Sequence, residues 1–403
     1  MKRFTLVAWL LLGAGSAWGQ VQLSGVVRDS LTQRPLPQAS VFILNTTLGT
    51  TTDAQGRYVL QAVPAGRYVL AATYLGYRLR QQPLTIADAP LTVALQVVPA
   101  PQALSEVVVR AQPSQSEYLE LFKQVFLGGS SLSRRCRVRN PTVLAIRYEP
   151  VKQHLTAATT EALEVDNPML GYRLTFYNLA FQADFVNETV YATTQAQVKF
   201  QELAGSAAQE RRWAAHREQA YRGSLLHFLR AVYAGQLVTQ GFRLQRLQRL
   251  PNRRWATADS TVRAHQAAGE RLELTSLPAA TWRYLLEPPI INLLHPAQLP
   301  PDSVRQVDSL GRVRLRFRDF LAVTYGPEPI DPNFHLPGAF SGRRQYLFQE
   351  SVLGLRQPAG IELAPNGVLA YPLDLPAEGY WGFEKIGELL PLDYQPPSYP
   401  GRY

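Results

Sequence analysis

The chain has 403 residues, with 41 Lys+Arg against 31 Asp+Glu and a formal net charge of +10. At 46% hydrophobic and 18% charged it can bury a sizeable core, which excludes disorder over most of its length. The single cysteine, Cys136, excludes a disulfide framework and a thiolate zinc cluster.

Lys2 and Arg3 precede an apolar run from Phe4 to Leu12, and small residues follow at Ala17 and Gly19. That order predicts a signal peptide over 1–19, cut before Gln20. The run is too short to anchor in a bilayer, and no later segment is long and apolar enough to span one as a helix. No cysteine follows it, which excludes a lipid-anchored start. Loss of Lys2 and Arg3 takes the charge from +10 to +8, since residues 1–19 hold no acid. Only five of the basic residues are Lys (2, 123, 152, 199 and 385). Scattered arginine on an exported chain suits an anionic envelope surface better than nucleic acid.

From Val21 to about Gln96 the chain reads as seven short strands separated by turns, which points to a Greek-key β-sandwich over 20–97. Val21–Asp29 alternates with period two, Ala39–Leu44 follows two prolines, and Asp53-Ala54-Gln55-Gly56 turns into Arg57–Leu60. Val63-Pro64-Ala65-Gly66 turns into Arg67–Tyr74, and Leu91–Leu95 closes the set.

These residues resemble the carboxypeptidase-regulatory-like domain, a transthyretin-like sandwich. The likeness rests on Gly25-Val26-Val27, Pro35-Leu36-Pro37, Ala39-Ser40-Val41, Thr52–Tyr58, Val63–Gly66 and Tyr74-Leu75-Gly76-Tyr77. In Bacteroidetes such a domain precedes many TonB-dependent receptors and exported proteins. Leu104–Val109 is similar to the segment that leads those receptors into their plug. Too few residues remain for a plug and a 22-stranded barrel, and Tyr394–Gly401 is too proline-rich to close a smaller one. Nor does the resemblance carry carboxypeptidase chemistry. None of His154, His216, His227, His265, His295 and His335 has a Glu at the third position after it, as the zinc pair of those enzymes requires.

A linker is expected over 98–115 and a larger strand-rich α+β domain over 116–403. Glu117–Leu127 has helical spacing and ends at Gly128-Gly129. Strands are expected at Arg137–Asn140, Val143–Tyr148, Gly171–Tyr177 and Phe181–Tyr191, then helix over Ala207–Tyr233, broken near Gly223-Ser224. Strands resume from Ala280, with Arg312–Arg318 placing four arginines on one face. That run is either a solvated edge strand or an anion-binding ribbon. Phe126-Leu127-Gly128, Arg135-Cys136, Asn140-Pro141, Leu170–Leu174, Arg211–Arg230, Gly379-Tyr380-Trp381 and Leu389–Tyr394 resemble the second domain of uncharacterised Bacteroidetes exported proteins. No activity comes with that likeness.

The densest group of reactive side chains is Arg217, Tyr221, Ser224, His227 and Arg230, which would share a face if the segment were one helix. Ser224 and His227 could pair as nucleophile and base, yet no G-x-S-x-G elbow is present; Ser224 also suits a helix N-cap. Trp381, between Gly379-Tyr380 and Gly382-Phe383, is either a sugar-stacking platform or core. Arg134, Arg135, Arg137 and Arg139 flank Cys136; in an extended run three arginines would share one face while Cys136 and Val138 point inward as core. Arg243, Arg246 and Arg249 at every third residue suit a solvated face or phosphate capture. No P-loop, dinucleotide fingerprint, H-E-x-x-H or calcium loop occurs, so no cofactor or metal is assigned.

The expectation is a mainly β exported protein, in the periplasm or at the periplasmic face of the outer membrane. It would bind or scaffold an outer-membrane protein or a carbohydrate or anionic envelope component, without catalysis. The alternatives are an envelope hydrolase at Ser224/His227 and an accessory of a TonB-dependent uptake system.

Overall fold

Period-two alternation becomes strand throughout the N-terminal unit of the computed structural model, because each strand finds apolar cover on one face. The structure describes residues 20–87, 89–100, 115–186, 189–273, 275–334 and 347–397. The signal-peptide segment, Leu104–Val109, His335, Tyr399–Gly401 and nearly all of the expected linker lie outside the described residues. The chain divides into two units, Met1–Leu44 with Leu48–Leu104, and Asn45–Thr47 with Ser105–Tyr403.

The first unit opens with β1 (Gln20–Asp29), β2 (Ser40–Ile43), β3 (Gly49–Thr51) and β4 (Arg57–Pro64). It continues with β5 (Gly66–Thr73), β6 (Arg80–Ile86), β7 (Leu91–Thr92) and β8 (Leu95–Val97). One sheet runs β4-β1-β7, with β8 also on β1, and the other runs β3-β2-β5-β6. Leu23, Val27, Val41, Ile43, Leu60, Val63 and Leu70 are buried as its core. The strand the sequence did not announce is β6. Pro83 breaks its pattern, and it is tolerated because β6 is an edge strand bonded only to β5. The sandwich thus has eight strands where seven were expected.

The second unit begins with α1 (Gln115–Leu127), β9 (Arg137–Val138), β10 (Leu144–Glu149), β11 (His154–Thr159) and β12 (Leu163–Asn167). A long hairpin follows, β13 (Tyr172–Val186) and β14 (Thr189–Glu202). These strands pair in the order β10-β11-β13-β12-β9, with β14 on β13. Phe122 and Phe126 of α1 meet Phe176 and Phe181 of β13 edge to face, at ring separations from 5.1 to 5.9 Å. The expected strands Gly171–Tyr177 and Phe181–Tyr191 are corrected: β13 runs through both to Val186. A register shift between Tyr177 and Ala180, where Asn178 takes a φ of 50°, imitated a break.

Next come α2 (Ala207–Tyr221), α3 (Leu225–Ala234) and β15 (Phe242–Pro251), then α4 (Arg253–Ala267), α5 (Ala279–Leu285) and β16 (Ile290–Gln298). The rest comprises β17 (Arg305–Val307), β18 (Val313–Leu315), β19 (Phe320–Tyr325), β20 (Gln349–Gly354), β21 (Ile361–Leu363), β22 (Ala377–Gly379) and α6 (Tyr380–Phe383). They form a sheet ordered β16-β15-β19-β20-β22 and a smaller one ordered β17-β18-β21. Three helices were missed: α4, whose pattern is mostly polar, α5, which stands where strands were expected to resume, and the single-turn α6. The second unit holds two apolar cores. One contains α1, β13 and Tyr221 of α2; the other contains α3, β19, β20 and Trp381. The turn between α2 and α3 joins them.

Candidate functional site

The helical run from Ala207 breaks where the sequence indicates. Ser206 and Gln209 cap the start of α2 reciprocally, and α2 ends at Tyr221. Arg222 is extended, Gly223 takes a φ of 75°, and Ser224 N-caps α3 by accepting from His227 N–H. The single face that a continuous helix would give Arg217, Tyr221, Ser224, His227 and Arg230 therefore does not form, as the expected break implies. The turn nevertheless gathers most of these residues by another route. The Tyr221 and His227 rings lie 4.8 Å apart, Arg230 sits 5.6 Å from the Tyr221 ring, and Trp381 Nε1–H donates to Gly223 O at 2.6 Å. Arg217 stands apart, 4.0 Å over the Tyr172 ring, where it donates to Leu170 O and Glu202.

The bonds of this group decide its chemistry. Ser224 Oγ donates to Tyr221 O at 2.7 Å. His227 Nδ1 accepts from Gly223 N–H at 3.1 Å, so its proton sits on Nε2, which donates to Gln240 Oε1 at 3.0 Å. Both ring nitrogens are thus taken by groups other than Ser224, and no nucleophile–base pair exists here. Burial pushes the His227 pKa down to about 4, so the imidazole is neutral at physiological pH. The Arg230 guanidinium donates to three carbonyls, Asn366 O at 3.3 Å, Tyr394 O at 2.9 Å and Leu392 O at 2.8 Å. Trp381 is only 7% exposed and packs 5.1 Å from Phe228, as core rather than as an open platform.

The sequence reading missed a group made of Glu384 and Glu388, which follow α6, and Glu328, which follows β19. Burial raises Glu328 to about 7 and Glu388 to about 8, and holds Glu384 well above the carboxylate range. Glu388 Oε1 is buried without a hydrogen bond, while Oε2 accepts from Lys385 N–H at 3.2 Å. Only the charges in the otherwise apolar Tyr380–Leu390 run hinted at Glu384 and Glu388, and nothing marked Glu328. These carboxyls stay protonated in the folded protein at pH values where the unfolded chain has ionised. The stability they contribute is complete below 4.5 and is lost as pH rises through about 7 and 8. His227 works oppositely, losing stability as pH falls from 6.5 through about 4. The unfolding free energy from urea denaturation is therefore expected to fall between about pH 5.5 and 8.5, by on the order of 2 kcal/mol after discounting for partial exposure. Glu388→Gln should flatten that fall; an unchanged pH profile in the variant would show that burial of this carboxyl costs nothing.

The remaining arginine patterns are corrected in part. Of the expected Arg312–Arg318 ribbon only Val313–Leu315 is strand, and Arg312 pairs with Asp308 while Arg316 donates to Pro358 O. Arg243, Arg246 and Arg249 lie on β15, where Arg246 pairs with Asp319, Arg249 with Glu378, and Arg243 lies 5.1 Å from the Phe348 ring. Arg134 and Arg135 belong to a 3-10 turn, Ser133–Arg135, so the expected extended run through Cys136 starts only at Arg137. Among the described residues no group of three or more His, Cys, Asp or Glu is placed to hold a metal, and no helix is long and apolar enough to cross a membrane.

The β1–β8 sandwich can now be set beside known proteins. Residues 23–109 match the model of the CarboxypepD_reg-like domain. The match covers the N-terminal module and leaves the rest of the second unit outside it. No curated protein matches the sequence. Among solved structures, the group B streptococcus pilus 2b backbone protein is 15% identical, with TM-score 0.18 over 20% of this chain and 42% of its own length. A type II Cohesin-X-Dockerin complex from Acetivibrio cellulolyticus is 21% identical, with TM-score 0.19 over 28% of this chain and 76% of that one. The 5-hydroxyisourate hydrolase of Klebsiella pneumoniae is 23% identical, with TM-score 0.18 over 20% of this chain and 91% of that one. Likenesses this slight carry no argument about activity.

Proposed function

We propose that the protein is exported and acts at the cell envelope by binding or scaffolding a partner, without catalysis. The observation that carries the non-catalytic reading is the bonding of the α2–α3 turn. Ser224 directs its hydrogen at a carbonyl, and both nitrogens of His227 are engaged elsewhere. The CarboxypepD_reg-like domain supports the envelope setting, since the resemblance ties such domains to exported proteins and outer-membrane receptors. The partner is an outer-membrane protein or a carbohydrate or anionic component on the periplasmic side.

The test is a cross-linked pull-down of the tagged protein from isolated envelopes, with fractionation alongside. A specific outer-membrane partner in stoichiometric amounts is the expected result. Recovery of the protein alone from the soluble periplasm, or from the cytoplasm with residues 1–19 still attached, would overturn the reading.

A further inference from the structure

The C-terminal half of α1 and the turn into β9 border an open pocket of about 580 Å³ that none of the readings above uses. Leu127 and Ser133, both buried, line it with Cys136 and Val138. Lys123 and the solvent-exposed Arg134 and Arg137 also line it, and Glu120 is the sole acid lining it. Lys123 Nζ holds Glu120 at 2.8 Å. The Arg134 and Arg137 guanidiniums make no hydrogen bond or ion pair among the described residues. The fold explains why. Arg137 lies opposite Asp166 across the β9–β12 ladder, but Asp166 is already bonded by Arg139 at 2.9 Å and Arg173 at 2.7 Å. Arg134 sits in a 3-10 turn, where only its backbone N–H bonds, to Ser130 O at 3.2 Å.

We propose that this pocket binds the phosphate group of a small organic molecule. Two unpartnered guanidiniums offer planar, always-charged donor forks that fit a phosphate oxyanion, and since Lys123 and Glu120 cancel, they leave the lining net positive. The volume falls in the roughly 300–1,000 Å³ range of small-molecule sites and exceeds what a bare ion would fill. Leu127, Val138 and the Cys136 thiol offer an apolar wall for the rest of the molecule. A soluble phosphate monoester and a phospholipid headgroup share this chemistry. The assignment goes beyond the envelope-binding reading and stands whether or not the pull-down finds a partner.

Cys136 supplies a local readout. It is the sole cysteine, half-buried against the pocket, and burial raises its thiol to about 12, so alkylation is slow but specific. The experiment titrates the full chain by calorimetry with phenyl phosphate, inorganic phosphate and phenol, and with phosphatidylglycerol and phosphatidylcholine vesicles. Phenyl phosphate should bind, inorganic phosphate should bind more weakly, and phenol should not bind. Arg134→Gln and Arg137→Gln should each weaken phenyl phosphate binding about tenfold or more, as loss of a charge-assisted bond implies. Arg211→Gln, on the exposed face of α2, should leave it unchanged. Both pocket variants should keep the parent's urea midpoint, because neither guanidinium holds a partner. Bound phenyl phosphate should also slow iodoacetamide alkylation of Cys136. Vesicle binding lost in the double variant would assign the site to lipid headgroups, and phenyl phosphate binding without it to soluble monoesters. Three results would overturn the proposal: no probe binding, equal weakening by Arg211→Gln, or alkylation of Cys136 indifferent to the bound probe.

Discussion

Gly223→Ala is expected to destabilise the second unit by on the order of 2–5 kcal/mol, a large share of what holds a typical domain together. Two costs add. Gly223 has a φ of 75°, a conformation that costs a residue with a Cβ about 1–2 kcal/mol. That Cβ would also stand 2.1 Å from Gln349 Oε1 and 2.6 Å from Tyr325 Cδ1, both in tightly packed surroundings. Overpacking of this kind costs a further 1–3 kcal/mol. Backbone movement would not relieve it cheaply. Gly223 N–H donates to His227 Nδ1 and Gly223 O accepts from Trp381, so any shift strains bonds on both sides of the turn. Gly235→Ala is the control. Gly235 has a φ of 68°, but a Cβ there meets nothing nearer than Arg305 Nε at 3.8 Å, so only the backbone cost applies. Urea denaturation of both variants separates the two terms. Equal losses would show that the packing around Gly223 yields freely.

Arg230→Met should cost about 3–5 kcal/mol, seen as a Tm lowered by roughly 10 °C. The substitution keeps an apolar stem and removes three donors at once. The carbonyls of Asn366, Leu392 and Tyr394 lose the guanidinium that joins two chain segments to α3. Arg230→Lys should recover only part of the loss, because one ammonium cannot copy the fan of a planar guanidinium. The result also bears on function. A variant that melts at the parent's temperature yet loses its envelope partner would make Arg230 a binding residue and refute the structural role argued here.

How much was legible in the sequence differs between the two units. The sandwich could be read because alternation, turn residues and loop lengths act locally: the Asp53 carboxylate organises its own turn by accepting from Gln55 and Arg57 N–H. Only β6 escaped, since its proline fits an edge that pairing alone creates. In the second unit the break at Gly223-Ser224 and the capping role of Ser224 were visible for the same reason.

The rest was decided by contacts distant in sequence. Helical spacing would gather Arg217, Tyr221, Ser224, His227 and Arg230 on one face of a continuous helix, but the turn separates the two helices, leaves Arg217 over Tyr172, and packs Arg230 and Gly223 against residues more than 100 positions away. Whether a serine and a histidine three apart form a reactive pair depends on where their protons go. Gln240, Gly223 and Tyr221 settle that through the fold. The same holds for the arginines: composition shows their excess, but only strand register leaves Arg137 unpaired while Arg139 and Arg173 share Asp166. Local pattern thus determined the fold class, the N-terminal module and the helix break. Partnering, burial and the protonation of His227, Glu328 and Glu388 belong to the tertiary structure, because desolvation and hydrogen bonding depend on neighbours that the chain brings together only when folded.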